Sequence, residues 1–491
     1  PPPPPPPPPS PTHPPPPPPN TLYSSSAASD VYKRQLAGWR YPGVSSYSKK
    51  TRANKTGEQS ARQVAIRVLE AVLVKGRSLA TARSLVHDKL EARERPLAME
   101  LVNGVLRWRF RLEALLAKLL SKSLRKKDVD IQLVLLLALY ELTELSSPDY
   151  AVVNEAVTQT RRVGKKWASG MVNGVLRSFI RDREALLSSI DEDEVARFSH
   201  PRWLIDLVQQ DWPQQTVQIL DANNRRPPMW LRVNVSKTSV EDYFKKLDAQ
   251  QIIAVRHPLA DAALKLESPM DVSRLPGFAQ GLVSVQDAAA QLAAKLLGAE
   301  NGERVLDLCA APGGKTCHLL ETAANIEMTA VELEPLRMQR VQQNLDRLGL
   351  HAELIVGDAT DTQSWWDGRM FDRVLVDAPC SASGVIRRHP DIKSLRHADD
   401  LDSLTKIQQQ ILLQAWSMLK PGGTLLYVTC SVLKRENELQ IAQLMSVREE
   451  AVEIDIDEPW GNPCAHGRQL LPGDMDGDGF YYARLKKQDN S

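Results

Sequence analysis

The sequence predicts an α/β protein, with a doubly wound, mostly parallel sheet preceded by an all-helical region and a small α+β region. Three observations carry that expectation. From about Gly281, apolar runs of strand length alternate with amphipathic helical stretches, the rhythm of a sheet buried on both faces. From Ser60 to Leu187, apolar residues recur at spacings of three and four. Between them, the short β-like runs MWLRVNV, IIAVRH and ALKLES follow a helical stretch.

The 491 residues exceed one ordinary core, so two to four domains are expected. Apolar residues make up 42 % and charged residues 25 %, an ordinary globular composition. The net charge of +2 means that any affinity for nucleic acid must reside in local patches. The longest apolar run, around Leu133–Leu139, suits a buried helix and is too short for a membrane span. Five cysteines without a CxxC pair argue against a disulfide framework or a zinc site, and for a reducing, cytoplasmic setting. Residues 1–35 read as a non-native, low-complexity leader. They are proline-rich, SSSAASDVYKRQ looks like adaptor read-through, and the first Met of the chain is Met99. Residues 36–59 read as a linker.

In chain order, ARQVAIRVLEAVL, RPLAMELVNGVLRWRFRLEALLAKLL, DVDIQLVLLLALYELTEL and YAVVNEAVTQTRRV form the helices of a region spanning 60–190. The echo LVNGVLR at 101–107 and MVNGVLR at 171–177 suggests two helices packing closely at their glycines. Basic clusters crowd this region, notably Arg125-Lys126-Lys127 and the residues from Arg161 to Lys166, and together they suit a phosphate-binding surface. Residues 196–282 make the small α+β region. From 283 to 488, the strands RVLDL, MTAVE, AELIV, FDRVLVD, GTLLYVT and FYYARLKK alternate with helices, one of them expected from Ser403 to Leu419. Ligands of such sheets bind at the carboxyl ends of the strands.

Those ends carry the chemistry. DLCAAPGGKT (Asp307–Thr316) lies between a strand and a helix. It lacks the GxGxxG spacing of a dinucleotide fingerprint, and Cys309 stands where a nucleoside-triphosphate loop requires its first glycine. The remaining reading is a methyltransferase loop whose backbone at Ala311–Gly314 approaches the methionine part of S-adenosylmethionine. That reading expects Glu332, ending the next strand, to accept the ribose hydroxyls. It also expects Asp358 near the adenine and Asp377 near the reacting methyl.

Two thiols then stand out. Cys380 follows the strand ending at Asp377, and Cys430 ends the strand of YVTCS. A lone cysteine is usually a small apolar filler, but two at neighbouring strand ends, each beside a serine, suit methylation of a pyrimidine at carbon 5. That carbon is a poor nucleophile until a thiolate adds at carbon 6, and a proton must later leave carbon 5 so that the thiol can depart. Two thiols allow attack and release to be separated.

DLCAAPGGKT, DAPCSASG and TCS together resemble the RNA 5-methylcytosine methyltransferases of the Nol1/Nop2/Sun group, and the run GVIRRHPDIK and the helical region add to the likeness. The resemblance implies a NusB-type RNA-binding domain, a small RRM-like domain and a Rossmann-like catalytic domain dependent on S-adenosylmethionine. It implies cofactor contacts at Cys309, Ala310, Ala311, Pro312, Gly313, Gly314, Lys315, Glu332, Asp358 and Asp377, although the family's second-strand acid is commonly Asp. It implies Cys430 as the nucleophile, Cys380 as an aid to product release, and one cytosine of 16S ribosomal RNA as substrate, free or in an early small-subunit particle. The enzyme is expected to be monomeric. Arg387 and Arg388, just after Cys380, are expected to contact the RNA backbone. DMDGDG (Asp474–Gly479) opens like a calcium loop, but Leu485 occupies the position of the bidentate Glu, so no metal is expected. The competing expectation is a non-catalytic, NusB-like RNA-binding or antitermination factor.

Overall fold

The computed structural model describes residues 59–323 and 325–489; the expected leader and all but the last residue of the expected linker lie outside them. The first helix, Ala61–Leu73, opens on a capping box in which Ser60 and Gln63 each take the other's backbone N–H. Helices Ala61–Leu73, Arg95–Leu119, Asp149–Arg162 and Ser169–Arg181 pack around Val129–Glu144. Eleven of the sixteen residues of that central helix are buried, so it must be apolar on nearly every face. Its buried Glu141 is neutralised by Arg62, whose Nε donates at 2.9 Å. Among the described residues, no helix is long and apolar enough to cross a membrane.

The VNGVLR echo does not mark two helices meeting at their glycines. A Cβ on Gly104 would stand 1.9 Å from Tyr140 Cζ, so glycine lets this helix close onto the central one. A Cβ on Gly174 would meet nothing within 4 Å. The repeated letters share a helical period, and only the first copy has a tight neighbour.

Three short helices (Glu194–Phe198, Arg202–Asp211 and Thr216–Asn224) lead to a four-stranded antiparallel sheet. Its strands are β1 (Met229–Val233), β2 (Ala254–Arg256), β3 (Ala263–Leu266) and β4 (Val283–Val285), in the order β2-β3-β1-β4. β4 pairs with β1 and lies just past residue 282, where the sequence suggested a change of domain. Three residues are too few for a period-two signal to place.

The large sheet contains β5 (Arg304–Leu308), β6 (Glu327–Glu332), β7 (Glu353–Val356), β8 (Phe371–Asp377), β9 (Leu419–Thr429), β10 (Ala451–Ile454), β11 (Asn462–Pro463), β12 (Arg468–Leu470) and β13 (Phe480–Lys487). The order is β11-β12-β13-β9-β8-β5-β6-β7, with β10 also pairing β13. Strands β5 to β9 run parallel, and β13 returns antiparallel against β9. Strand order reverses between β5 and β8, which opens the crevice above their carboxyl ends. The helix preceding β9 spans Asp400–Met418.

Lys393 clasps these regions together. Fully buried, its Nζ donates to Arg107 O (2.9 Å), Ser199 O (2.9 Å) and Asn224 Oδ1 (2.5 Å). The helical region is thereby tied, through backbone carbonyls, to the part of the chain that carries the large sheet.

Candidate active site

β5 delivers the chain into a loop that turns back at once. Cys309 adopts φ +63°, a left-handed conformation uncommon for a non-glycine residue, and Gly313 adopts φ +91°. A Cβ on Gly313 would lie 3.1 Å from Val341 Cγ1, so the loop needs glycine both for its turn and for its approach to helix Pro335–Leu348. Ala310 N–H donates to Val331 O at 3.0 Å, and Asn344 Nδ2 donates to Pro312 O at 2.9 Å. The small sheet reaches the same loop, where Arg232 Nη1 donates to Gly314 O at 2.6 Å.

Beneath the loop, Asp307 is wholly buried. Thr316 Oγ1 donates to its Oδ2 at 2.6 Å, while its Oδ1 has no hydrogen-bond partner. Burial pushes the pKa of Asp307 up to about 7. Glu332, at the end of β6, is also buried, and burial raises its pKa. Ala311 N–H donates to its Oε2 at 3.3 Å, Glu334 N–H to its Oε1 at 3.1 Å, and Arg337 lies 3.4 Å from Oε1. A carboxylate offers about four acceptor positions, so these three contacts leave room on Oε2. Asp358 is half-buried, and its Oδ1 accepts from the N–H and hydroxyl of Thr360 at 2.8 and 2.7 Å.

At the end of β8, Asp377 Oδ2 accepts from Lys315 Nζ at 2.7 Å. Burial works against the Lys315 ammonium, but the Asp377 carboxylate more than offsets it and the lysine pKa is raised. The same ammonium stands 5.2 Å from the centre of the Phe480 ring. β8 pairs with β9, Asp377 opposite Val428, so the segments following them run side by side. Cys380 Sγ lies 3.4 Å from Cys430 Sγ. Cys380 is buried and Cys430 only half-buried. The hydrogen bond to Cys430, then burial, then the charge of Cys430 and Glu436 hold the Cys380 pKa well above that of an ordinary thiol. Away from this pair, burial pushes both Cys317 and Cys464 up to about 12.

The structure corrects one expectation outright. Arg387 is 2 % exposed, and its Nε donates to Asp478 Oδ1 at 2.6 Å and its Nη2 to Asp476 O at 2.9 Å. Arg388 pairs with Asp478 and Asp287 and donates from Nη1 to Pro228 O at 2.9 Å. Both guanidinium groups are occupied by internal carboxylates and so are not placed to receive an RNA phosphate. They fix the DMDGDG turn and the small sheet against the catalytic sheet, and the acids of that turn serve as their counter-charges. By contrast Arg125, Lys126 and Lys127 are exposed.

Sequence reasoning also missed residues that shape the site. Asp307 opened a quoted motif yet carried no role, because strand position alone does not mark an unpartnered oxygen. Glu436 carried no role either, although it is completely buried beside both cysteine loops.

A glycine-turned loop at the switch point, buried acids at the ends of β5 and β6 and a lysine–aspartate pair beside two thiols define a methyltransferase of the S-adenosylmethionine-dependent, Rossmann-like class. The model for 16S rRNA methyltransferase RsmB/F matches residues 294–486, that for the RsmF/B-like ferredoxin-like domain residues 200–273, and that for the NusB family residues 59–181. The chain is 46 % identical to ribosomal RNA small subunit methyltransferase B of Pseudomonas syringae pv. tomato over 432 residues, 87 % of this chain and 96 % of that relative. It is 47 % identical to the protein of the same name from Pseudomonas putida over 427 residues, covering 87 % and 98 %. Among solved structures, PH0851 shares the fold with a TM-score of 0.74 at 24 % identity, over 88 % of this chain and 100 % of that one. The chain belongs to the 16S rRNA methyltransferase RsmB/F family.

Proposed function

We propose that this chain methylates carbon 5 of one cytosine in 16S ribosomal RNA through a covalent bond between Cys430 and carbon 6. The observation that carries the reading is the pair of thiols 3.4 Å apart, one buried and one half-buried, at the carboxyl ends of adjoining strands. Residues Cys309–Lys315, Glu332, Asp358 and Asp377 would hold S-adenosylmethionine, and the open position on Asp307 Oδ1 suits a hydrogen-bond donor of that ligand. Bound S-adenosylmethionine supplies an electrophilic methyl group.

Cys430 Sγ adds to carbon 6, and the electrons of the ring double bond move to carbon 5, which takes the methyl group. The carbon-5 proton then leaves, the double bond re-forms and the bond to Sγ breaks. Timing follows from the coupling of the two thiols. While Cys430 is a thiolate, its charge and hydrogen bond help to keep Cys380 protonated. Once Cys430 is bonded to carbon 6 that part of the restraint is gone, while burial and the Glu436 charge remain, and Cys380 is the thiol left to serve the release step. Lys315 and Asp377 form a fixed polar pair at the mouth of the cleft, suited to orienting a base.

Cys430→Ala is expected to abolish incorporation of labelled methyl into RNA. Cys380→Ala is expected to accumulate a protein–RNA band that survives denaturation. Methylation that survives loss of Cys430 would sink the assignment. The exposed Arg125, Lys126 and Lys127 are proposed to contact RNA phosphates: Lys165 holds the neighbouring Asp128 and Asp130 at 2.9 and 2.6 Å, and Arg125 reaches Asp128 at the longer 3.7 Å. Neutralising the three should flatten the salt dependence of RNA binding by a slope of about 2; an unchanged slope would mean a merely solvated loop. The enzyme is proposed to act as a cytoplasmic monomer on free RNA or an early small-subunit particle.

A further inference from the structure

We propose that Glu436 is the positioning residue that sets the Cys430 and Cys380 thiols at their working separation. The inference rests on the two-thiol reading above. Glu436 is 0 % exposed, and among the described residues no cation pairs with it. Four donors take the place of a counter-charge. Ser381 N–H (2.8 Å) and Gln408 Nε2 (3.1 Å) donate to its Oε1, and the hydroxyls of Ser381 and Ser431 donate to its Oε2, both at 2.6 Å. Ser381 is the residue after Cys380, and Ser431 is the residue after Cys430. One carboxylate therefore ties both thiol-bearing loops to a single point.

The tie extends along each loop. Ser383 Oγ lies 3.0 Å from Ser431 Oγ and accepts the Val432 N–H at 3.0 Å, and Ser431 Oγ accepts the Leu433 N–H at 3.0 Å. Because the Ser381 and Ser431 hydroxyls spend their protons on Glu436, their lone pairs are left to accept the N–H of Ser383 (3.4 Å) and of Leu433. Gln408, from helix Asp400–Met418, also donates to Pro379 O at 2.9 Å, which fixes the residue before Cys380. A buried carboxylate without a cation is an expensive way to fill a core. What it provides here is a rigid spacing between two reacting sulfurs.

The test reads that spacing directly. Diamide oxidises adjacent thiols to a disulfide: the two sulfurs bond, and diamide takes up two electrons and two protons to become a hydrazine. Wild-type protein should form the Cys380–Cys430 cross-link, scored by mass spectrometry. Glu436→Gln keeps the shape but puts an NH2 group against donors. It is expected to cross-link about tenfold more slowly and to lose about 10²-fold in kcat, with KM for RNA little changed. If that variant does not fold, the Ser381→Ala/Ser431→Ala pair removes the hydroxyl tethers while leaving the carboxylate its two N–H donors, and should move both readouts the same way. Cross-linking within twofold of wild type in a folded variant overturns the proposal. Slowed cross-linking, combined with methylation that survives Cys430→Ala, supports the positioning role while rejecting the nucleophile assignment.

Discussion

Arg232→Met should destabilise the protein by about 3–5 kcal/mol, the usual effect of leaving one charge of a buried pair alone. The side chains of Arg232 and Glu321 are each 1 % exposed. They meet in a bidentate pair, with Nε to Oε2 and Nη2 to Oε1 both at 2.8 Å. Removing the arginine strands the Glu321 carboxylate inside, where no water replaces the lost donors. The double variant Arg232→Met/Glu321→Leu removes both charges and should recover most of the loss, because buried pairs replaced by apolar residues are often near neutral. What remains, about 1–3 kcal/mol, is the two hydrogen bonds from Arg232 to Gly314 O and Gln286 Oε1. Urea midpoints of the wild type, the two single variants Arg232→Met and Glu321→Leu, and the double variant close a double-mutant cycle. Calorimetric titration with S-adenosylmethionine should show weaker binding in both Arg232 variants, because Gly314, in the loop proposed to hold the cofactor, opens helix Gly314–Thr322. A double variant no more stable than Arg232→Met, or a single variant within about 1 kcal/mol of wild type, refutes the reasoning.

Asp307 should impose a pH dependence. Its folded pKa of about 7 lies above its ordinary value, so between about pH 4 and 7 the folded chain retains a proton that the unfolded chain has released. Stability contributed by this group is full below pH 4 and falls as pH rises, by up to about 4 kcal/mol. Asp307→Asn should flatten that part of the profile, read as urea midpoints at pH 5 and pH 8; an unchanged slope assigns it to other groups. In the helical region, Gly104→Ala should cost about 1–3 kcal/mol by driving a methyl into Tyr140. Gly174→Ala, with open space around it, should gain about 0.5–1 kcal/mol from helix propensity. Thermal melts of the two variants shifting in the same direction would contradict the assignment.

The elements most legible in the sequence are those fixed by local pattern. FYYARLKK is β13 residue for residue, β5, β7 and β8 sit within the apolar runs that announced them, and β6 begins one residue before its run. Three of the short strands escaped: β10, β11 and β12 are held by pairing to β13 and to each other, and Pro463 in β11 gives no strand signal. The turn after β5 and the meeting of the two cysteines were legible for a related reason. A strand end is a local feature, and chemistry collects there.

What local pattern cannot supply is the distant partner that decides whether a charge faces water or the core. Arg387 and Arg388 read as a surface pair because their carboxylates, Asp287 and Asp478, lie about a hundred positions away on either side. The run KREN shows the same limit within four letters. Lys434 lies 5.3 Å from the centre of the Trp212 ring, and Arg435 reaches Asp402 at 2.5 Å. Glu436, next in line, turns inward because the three-residue turn Lys434–Glu436 aims it at Ser381, Ser431 and Gln408. Three adjacent charges thus have two fates, and the difference lies in donors contributed by three other segments. The serine beside each cysteine was visible in the sequence, but its meaning was not. Each hydroxyl is half of a bond whose other half stands on a residue with no local mark of burial.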